Sequence, residues 1–441
     1  MAEEVIVVRG NGTLAGEVRV SGAKNSALKL MAAAVLASDE CVIRNVPNIS
    51  DIDVMVSVLE RLGARVLRDG SAERDEHTLT IDTSTVDSFE TPYELVSKMR
   101  ASISILGPLI GRFGQAHVAM PGGCQIGARK IDMHLRGLQA LGVEFEMDHG
   151  YLLASTPHGL KGAHIMLDFP SVGATENTLM ASVVAEGSTV IENAAREPEI
   201  ADLANMLCEM GARIKGAGSP TIEVEGVPLE SLHACDHVTV GDRIEAGTFL
   251  VGGALTGGPV TVHGVDPTYL HMALLKLEEM GCTVQRGDNS ITVARTVPLR
   301  PVDIQTLPYP GFPTDLQAQF MLLASLADGT SVITENVFEN RFMFAAEIAR
   351  MGADIVLEDH HALVRGACEL QGAPVSSTDL RAGAALVLAG VVADGETHVH
   401  KVGHIDRGYE NYVGRLHALG ADIKRIREDE LPFDGERGSR A

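Results

Sequence analysis

The chain has 441 residues, too many for one ordinary core, so two or three domains are expected. Its 59 acidic and 36 basic residues give a formal net charge of −23, which argues against a nucleic-acid polyanion as partner. It is 45% hydrophobic and 22% charged, a globular composition, and no uninterrupted apolar run is long enough to span a bilayer.

The opening Met1-Ala2-Glu3-Glu4 lacks the basic start of a signal peptide. The six cysteines (Cys41, Cys124, Cys208, Cys235, Cys282 and Cys368) form no CxxC pair, so neither a disulfide framework nor a zinc site is expected. The cytoplasm is the simplest compartment. No HExxH, Walker loop or dinucleotide glycine motif follows a predicted strand, so no metal and no cofactor are expected.

Along the chain one ending recurs six times: Leu62-Gly63-Ala64, Leu141-Gly142-Val143, Met210-Gly211-Ala212, Met280-Gly281-Cys282, Met351-Gly352-Ala353 and Leu419-Gly420-Ala421. Each reads as an amphipathic helix stopped by a left-handed glycine, with a strand after it. The first such helix carries Ile52, Met55, Val56, Leu59 and Leu62 on one face, and the last carries Tyr409, Tyr412, Val413, Leu416 and Leu419. Upstream of each lies a helix apolar on nearly all sides: Ser26–Ala37, Ala101–Ile110, Thr178–Ala185, Gly247–Leu255, Leu316–Ala327 and Ala382–Ala393. Such helices belong inside a core. The repeat, roughly 70–80 residues long, is too long for a solenoid link and reads as a small α/β unit. The expected fold is therefore α/β: two similar domains of three units each, packed around buried helices, with a cleft between them. The chain after about Ile426 is expected to fray, and residues 428–441 to form a disordered tail.

Polar residues recur where the buried helices begin: Lys24-Asn25, Arg100, Thr175-Glu176-Asn177, Asp242-Arg243, Thr314-Asp315, and Asp379 with Arg381. Caps account for Thr314 and Asp379. They do not account for Lys24, Arg100 or Arg381, because cations are disfavoured at that end of a helix. Helix N-termini and cations converging on a cleft would bind an anion. Arg129-Lys130-Ile131-Asp132-Met133-His134 and Arg341 open two surface helices, and His404-Ile405-Asp406-Arg407-Gly408-Tyr409 leads into the last one. Met120-Pro121-Gly122-Gly123-Cys124-Gln125-Ile126-Gly127-Ala128-Arg129 sets a cysteine among glycines with a cation close by. A lone cysteine is ordinarily a small buried apolar residue. One on an electropositive loop can instead serve as a proton donor or nucleophile.

Four of these stretches, in this order, carry a resemblance: Gly22-Ala23-Lys24-Asn25-Ser26, Pro121-Gly122-Gly123-Cys124 with Arg129, Pro313-Thr314-Asp315-Leu316-Gln317, and His404-Ile405-Asp406-Arg407-Gly408-Tyr409-Glu410. From about Val8 to about Ile426 the chain resembles the UDP-N-acetylglucosamine 1-carboxyvinyltransferase family of enolpyruvyl transferases. The resemblance implies transfer of the carboxyvinyl group of phosphoenolpyruvate to the 3-hydroxyl of the UDP-linked sugar with release of phosphate, the first committed step of peptidoglycan synthesis. It implies two domains, 24–239 and 1–23 with 240–427, closing on substrate; no coiled coil or apolar tail demands an oligomer, so a monomer is expected, and the charge and the short apolar runs leave no membrane or nucleic-acid partner. It gives Cys124 the role of general acid, adduct site and target of fosfomycin, and Asp315 that of base. Lys24, Asn25, Arg129, Arg381 and Arg407 would hold phosphoenolpyruvate. Asn25, Arg100, Arg129, Lys130, Ile131, Asp132, Met133, Ser171, Val172, Asp315 and Val337 would contact the UDP-sugar. Lys130 stands where the family usually has proline, and Asn48 where many members carry a basic residue. The rivals are a 5-enolpyruvylshikimate-3-phosphate synthase, which lacks the cysteine loop, a non-catalytic UDP-sugar binder, and an RNA-binding protein of similar α/β units.

Overall fold

The computed structural model describes residues 3–69, 77–96, 100–120 and 131–431, without the side chains of residues 96 and 100–102. Among these residues the repeat reading is realised as six small sheets, five of four strands and one of three. One unit shows the pattern. His164–Met166 pairs in parallel with Ser188–Glu192, the buried helix Val172–Ser182 making the connection. Ser188–Glu192 pairs antiparallel with Thr221–Glu225, and that strand with Arg213–Lys215. The surface helix Pro198–Glu209 lies between them in sequence.

The six terminating glycines, Gly63, Gly142, Gly211, Gly281, Gly352 and Gly420, have φ between 97° and 108°. That left-handed conformation is cheap only for glycine, which is why the same residue closes every surface helix.

Two separate hydrophobic cores form. One gathers residues from Ala27 to Leu232. The other joins Ile6–Val20 to residues from Ile244 to Ile423. In the second, the helices Arg243–Thr256, Gln317–Leu326 and Leu380–Val392 pack on one another. In the first, Leu106–Phe113 packs on Val172–Ser182 and on the 3-10 turn Ala34–Leu36 that continues Lys24–Ala33.

The chain passes between the cores at residues 20–23 and again at 239–242. The two crossings run antiparallel and are stitched together: Ala23 N–H donates to Val240 O at 2.6 Å and Asp242 N–H to Ser21 O at 2.9 Å. A Cβ on Gly22 would stand 1.7 Å from the carbonyl oxygen of Asn45, and one on Gly241 would stand 1.8 Å from that of Gly264. Only glycine lets the two passages run this close to their neighbours.

Several boundaries differ from the sequence expectation. The buried helices begin earlier, at Lys24, Val172, Arg243 and Leu380. The second is a 3-10 turn, Arg100–Ile105, followed by the helix Leu106–Phe113. The reason is that polar residues are buried with the apolar ones: Lys24, Glu176, Asn177, Arg243, Gln317 and Gln319 all lie inside. A pattern of apolar residues stops where they start. The last surface helix is Tyr412–Ala418, so Tyr409 lies before it, although it is buried and stacks on Tyr412 at 4.9 Å. The expected fraying at Ile426 does not occur there. Asp422–Arg427 pairs with Glu4–Arg9, and Glu428–Glu430 makes one 3-10 turn; residues 432–441 lie outside the described residues.

Candidate active site

The two crossings deliver the first two site residues. Lys24 opens the helix that follows one crossing, and Asp242 caps the helix that follows the other. Asp242 accepts from Ile244 N–H and Glu245 N–H at 2.8 and 2.9 Å, and also from Lys24 N–H at 3.2 Å. The capping reading thus holds for Asp242. It holds for Asp379 too, which accepts from the N–H groups of Arg381 and Ala382. It fails for Thr314, whose hydroxyl donates to Glu335 at 2.8 Å and accepts from Arg341 at 3.0 Å.

The Lys24 ammonium lies 2.7 Å from Asp51. Arg407, from the other core, donates to the same carboxylate through Nε at 2.9 Å and Nη2 at 3.4 Å. Burial pushes Lys24 below its ordinary pKa, Asp51 opposes the shift, and the nearby charges of Arg381 and Arg407 add to it. Burial alone would raise Asp51, but Lys24 and Arg407 outweigh it and hold the carboxyl below its usual range. Lys24, Arg381 and Arg407 therefore share one electropositive region fed by both cores.

Asp315 lies in the 3-10 turn Thr314–Leu316 and is gripped by two buried arginines, Arg341 at 2.7 Å and Arg381 at 3.2 Å. Arg341 stacks on Phe338 at 5.2 Å and Arg381 on Tyr409 at 5.3 Å, so each guanidinium has a ring to hold it as well. Among the described residues Nη1 of Arg381 is buried without a hydrogen-bond partner. Burial works to lower the pKa of Arg243, but Glu199, which it meets in a bidentate pair at 3.0 and 3.4 Å, holds it above its ordinary value, with the charges of Glu197 and Asp315 adding to the effect.

Of the other predicted residues, Asn25 follows Lys24 in the helix, and its carbonyl accepts from Lys29 at 3.2 Å. Ser171 is the N-cap of Val172–Ser182 and accepts from Ala174 N–H, with Val172 the first helical residue. Ile131 precedes the helix Asp132–Ala140, which carries Asp132 and Met133 in its first turn. Val337 N–H donates to Glu335 at 2.8 Å. The backbone of Arg100 begins a 3-10 turn, and its side chain is outside the described residues, as are Cys124, Arg129 and Lys130 entirely. Among the described residues no group of three or more His, Cys, Asp or Glu could hold a metal ion.

Sequence reasoning missed Asp51, whose place in the first turn of Ser50–Arg61 looks like simple dipole chemistry. It noticed Arg341 only as a helix opener. Glu410, which ends the last motif, binds across the two cores, to His77 at 2.8 Å and to Asn48 N–H at 3.2 Å.

A model of the family described as EPSP synthase (3-phosphoshikimate 1-carboxyvinyltransferase) matches residues 8–416. The chain belongs to this family of carboxyvinyltransferases. It is 52% identical, over 96% of its own length and 99% of the relative's, to UDP-N-acetylglucosamine 1-carboxyvinyltransferase 2 of Staphylococcus saprophyticus. It is 47% identical to the UDP-N-acetylglucosamine 1-carboxyvinyltransferase of a Psychrobacter species, over 95% of the chain and 96% of the relative. The enolpyruvyl transferase NikO of Streptomyces tendae superposes with a TM-score of 0.87 at 30% identity, covering 97% of this chain and 99% of that one. EPSP synthase of Acinetobacter baumannii superposes at 0.72 with 18% identity, covering 96% of this chain and 100% of that one, a likeness of fold alone. The two-domain α/β architecture read from the repeats is thus that of the enolpyruvyl transferases.

Proposed function

We infer that this carboxyvinyltransferase moves the enolpyruvyl group of phosphoenolpyruvate to the 3-hydroxyl of UDP-N-acetylglucosamine and releases phosphate. The observation that carries the reading is the convergence of Lys24, Arg381, Arg407 and Asp315 from two cores in a chain about half identical to enzymes so named. The two domains, 24–239 and 1–23 with 240–427, close around both substrates and exclude water. The enzyme works as a monomer in the cytoplasm; no helix among the described residues is long and apolar enough to cross a membrane.

In this reading Cys124 gives a proton to C3 of the donor while the sugar hydroxyl attacks C2 and its proton passes to Asp315. Loss of a proton from C3 then expels phosphate and restores the double bond. Lys24, Asn25, Arg129, Arg381 and Arg407 hold the donor's phosphate and carboxylate. Asn25, Arg100, Arg129 to Met133, Ser171, Val172, Asp315 and Val337 hold the UDP-sugar. Asp315 suits the base role because its two arginines are themselves anchored and fix the carboxylate's position.

The test is phosphate release from phosphoenolpyruvate with UDP-N-acetylglucosamine and, separately, with shikimate-3-phosphate, each with and without fosfomycin. Release with the UDP-sugar alone, abolished by fosfomycin, is expected. Release with shikimate-3-phosphate, or with neither acceptor, would overturn the reading. Cys124→Ser retaining both full activity and full fosfomycin sensitivity would remove the acid role.

A further inference from the structure

The cation pair assigned to the donor already holds an anion of the protein's own. Asp51 gives Oδ2 to the Lys24 ammonium and both oxygens to the Arg407 guanidinium. The Lys24 and Asp51 side chains are only 9% and 4% exposed, so little water screens their contact. Asp51 and Arg407 come from different cores and are 356 residues apart in sequence.

A plain interdomain clasp is the alternative, but a clasp already stands beside it. Glu410 binds His77 and Asn48 N–H across the same boundary, and takes Ser21 at 2.6 Å on its own side. Neither Lys24 nor Arg407 takes part in those hydrogen bonds. Asp51 is spent on the two cations themselves.

We propose that Asp51 is a positioning residue that stands in for an oxyanion of the donor: it holds Lys24 and Arg407 in place in the unliganded enzyme and competes with the incoming phosphate or carboxylate for them. The proposal rests on the reading of Lys24 and Arg407 as donor-holding residues. Without Asp51, the buried Lys24 ammonium and the Arg407 guanidinium, whose side chain is 35% exposed, would repel each other and part. With it, a bound anion shares the site with a like charge, which weakens ground-state binding and speeds the departure of product phosphate.

The experiment titrates inorganic phosphate into the full-length enzyme and its Asp51→Asn and Asp51→Glu variants by calorimetry, with steady-state kinetics alongside. The asparagine keeps the size and can still accept from Arg407. Asp51→Asn is expected to bind phosphate about tenfold more tightly, and to lower KM for phosphoenolpyruvate and kcat together, as slower product release requires. Asp51→Glu keeps the charge and should stay near the parent. Should the asparagine variant fold poorly, Asp51→Ser gives the same readout. Phosphate affinity unchanged or weakened in the uncharged variants overturns the proposal. Lys24→Ala and Arg407→Ala separate the two levels: if neither weakens phosphate binding, the donor-holding reading fails and takes the proposal with it. If both weaken it while Asp51→Asn does not tighten it, the Asp51 proposal alone fails.

Discussion

Asp315→Asn removes one negative charge from between two guanidinium groups while keeping the side chain's size. A positioned base contributes about two to four decades of rate. At roughly 1.4 kcal/mol per decade that is about 3–5 kcal/mol of transition-state stabilisation. The loss in acceptor binding should be much smaller, because both arginines keep other anchors. Arg341 retains the Thr314 hydroxyl at 3.0 Å and the Phe338 ring, and Arg381 retains the Tyr409 ring. The amide can still accept from one of them. UDP-N-acetylglucosamine affinity, measured by calorimetry, should change by less than about tenfold, while single-turnover phosphate release falls by at least about a hundredfold. Equal losses in affinity and turnover would show that Asp315 binds the acceptor without acting as base. Unchanged turnover would remove it from the chemistry altogether.

Other perturbations probe the frame. Gly22→Ala places a methyl 1.7 Å from the Asn45 carbonyl oxygen, and should cost about 3 kcal/mol or more in a denaturant titration, since the clash is with backbone. Glu199→Gln strips a buried arginine of its bidentate partner; such losses run about 3–5 kcal/mol, and the charge of Glu197 close to Arg243 should hold this one near 3. Burial raises both Glu176 and Glu245 to about 7. The folded chain therefore keeps protons that the unfolded chain has lost, and stability should fall as pH rises from about 4.5 to 7. Urea midpoints at pH 5 and pH 8 should differ in that sense, and Glu176→Gln and Glu245→Gln should each reduce the difference.

The repeat was readable because its punctuation is local. A glycine with φ near 100° must follow each surface helix, and no other residue adopts that conformation as cheaply, so the mark survives in the sequence six times. The buried helices were readable along their apolar lengths but not at their starts. There Lys29 faces Glu176 at 3.2 Å and Arg243 faces Glu199, pairings that a window of apolar periodicity scores as surface. Lys24, Asp315, Arg381 and Arg407 stood out because three of them are cations at helix entrances and all but Arg381 lie in distinctive motifs. Asp51 and Arg341 did not, because their partners are distant in sequence or known only once Thr314 is seen to bind a side chain rather than cap a helix. Long-range charge pairing leaves no spacing to count.

The strand Glu4–Arg9 lies in the middle of its sheet, between Glu396–His400 and Asp422–Arg427. Its pairing of Arg9 with Glu396 spans 387 residues. The core from Ala27 to Leu232, by contrast, is continuous in sequence. On a ribosome that core can close while Val5-Ile6-Val7-Val8, made before it, still has neither neighbour. An apolar, β-branched strand left open at both edges is a template for pairing with other chains. The layout that joins the two domains twice thus also dictates an order of assembly, in which the earliest strand is the last to be enclosed.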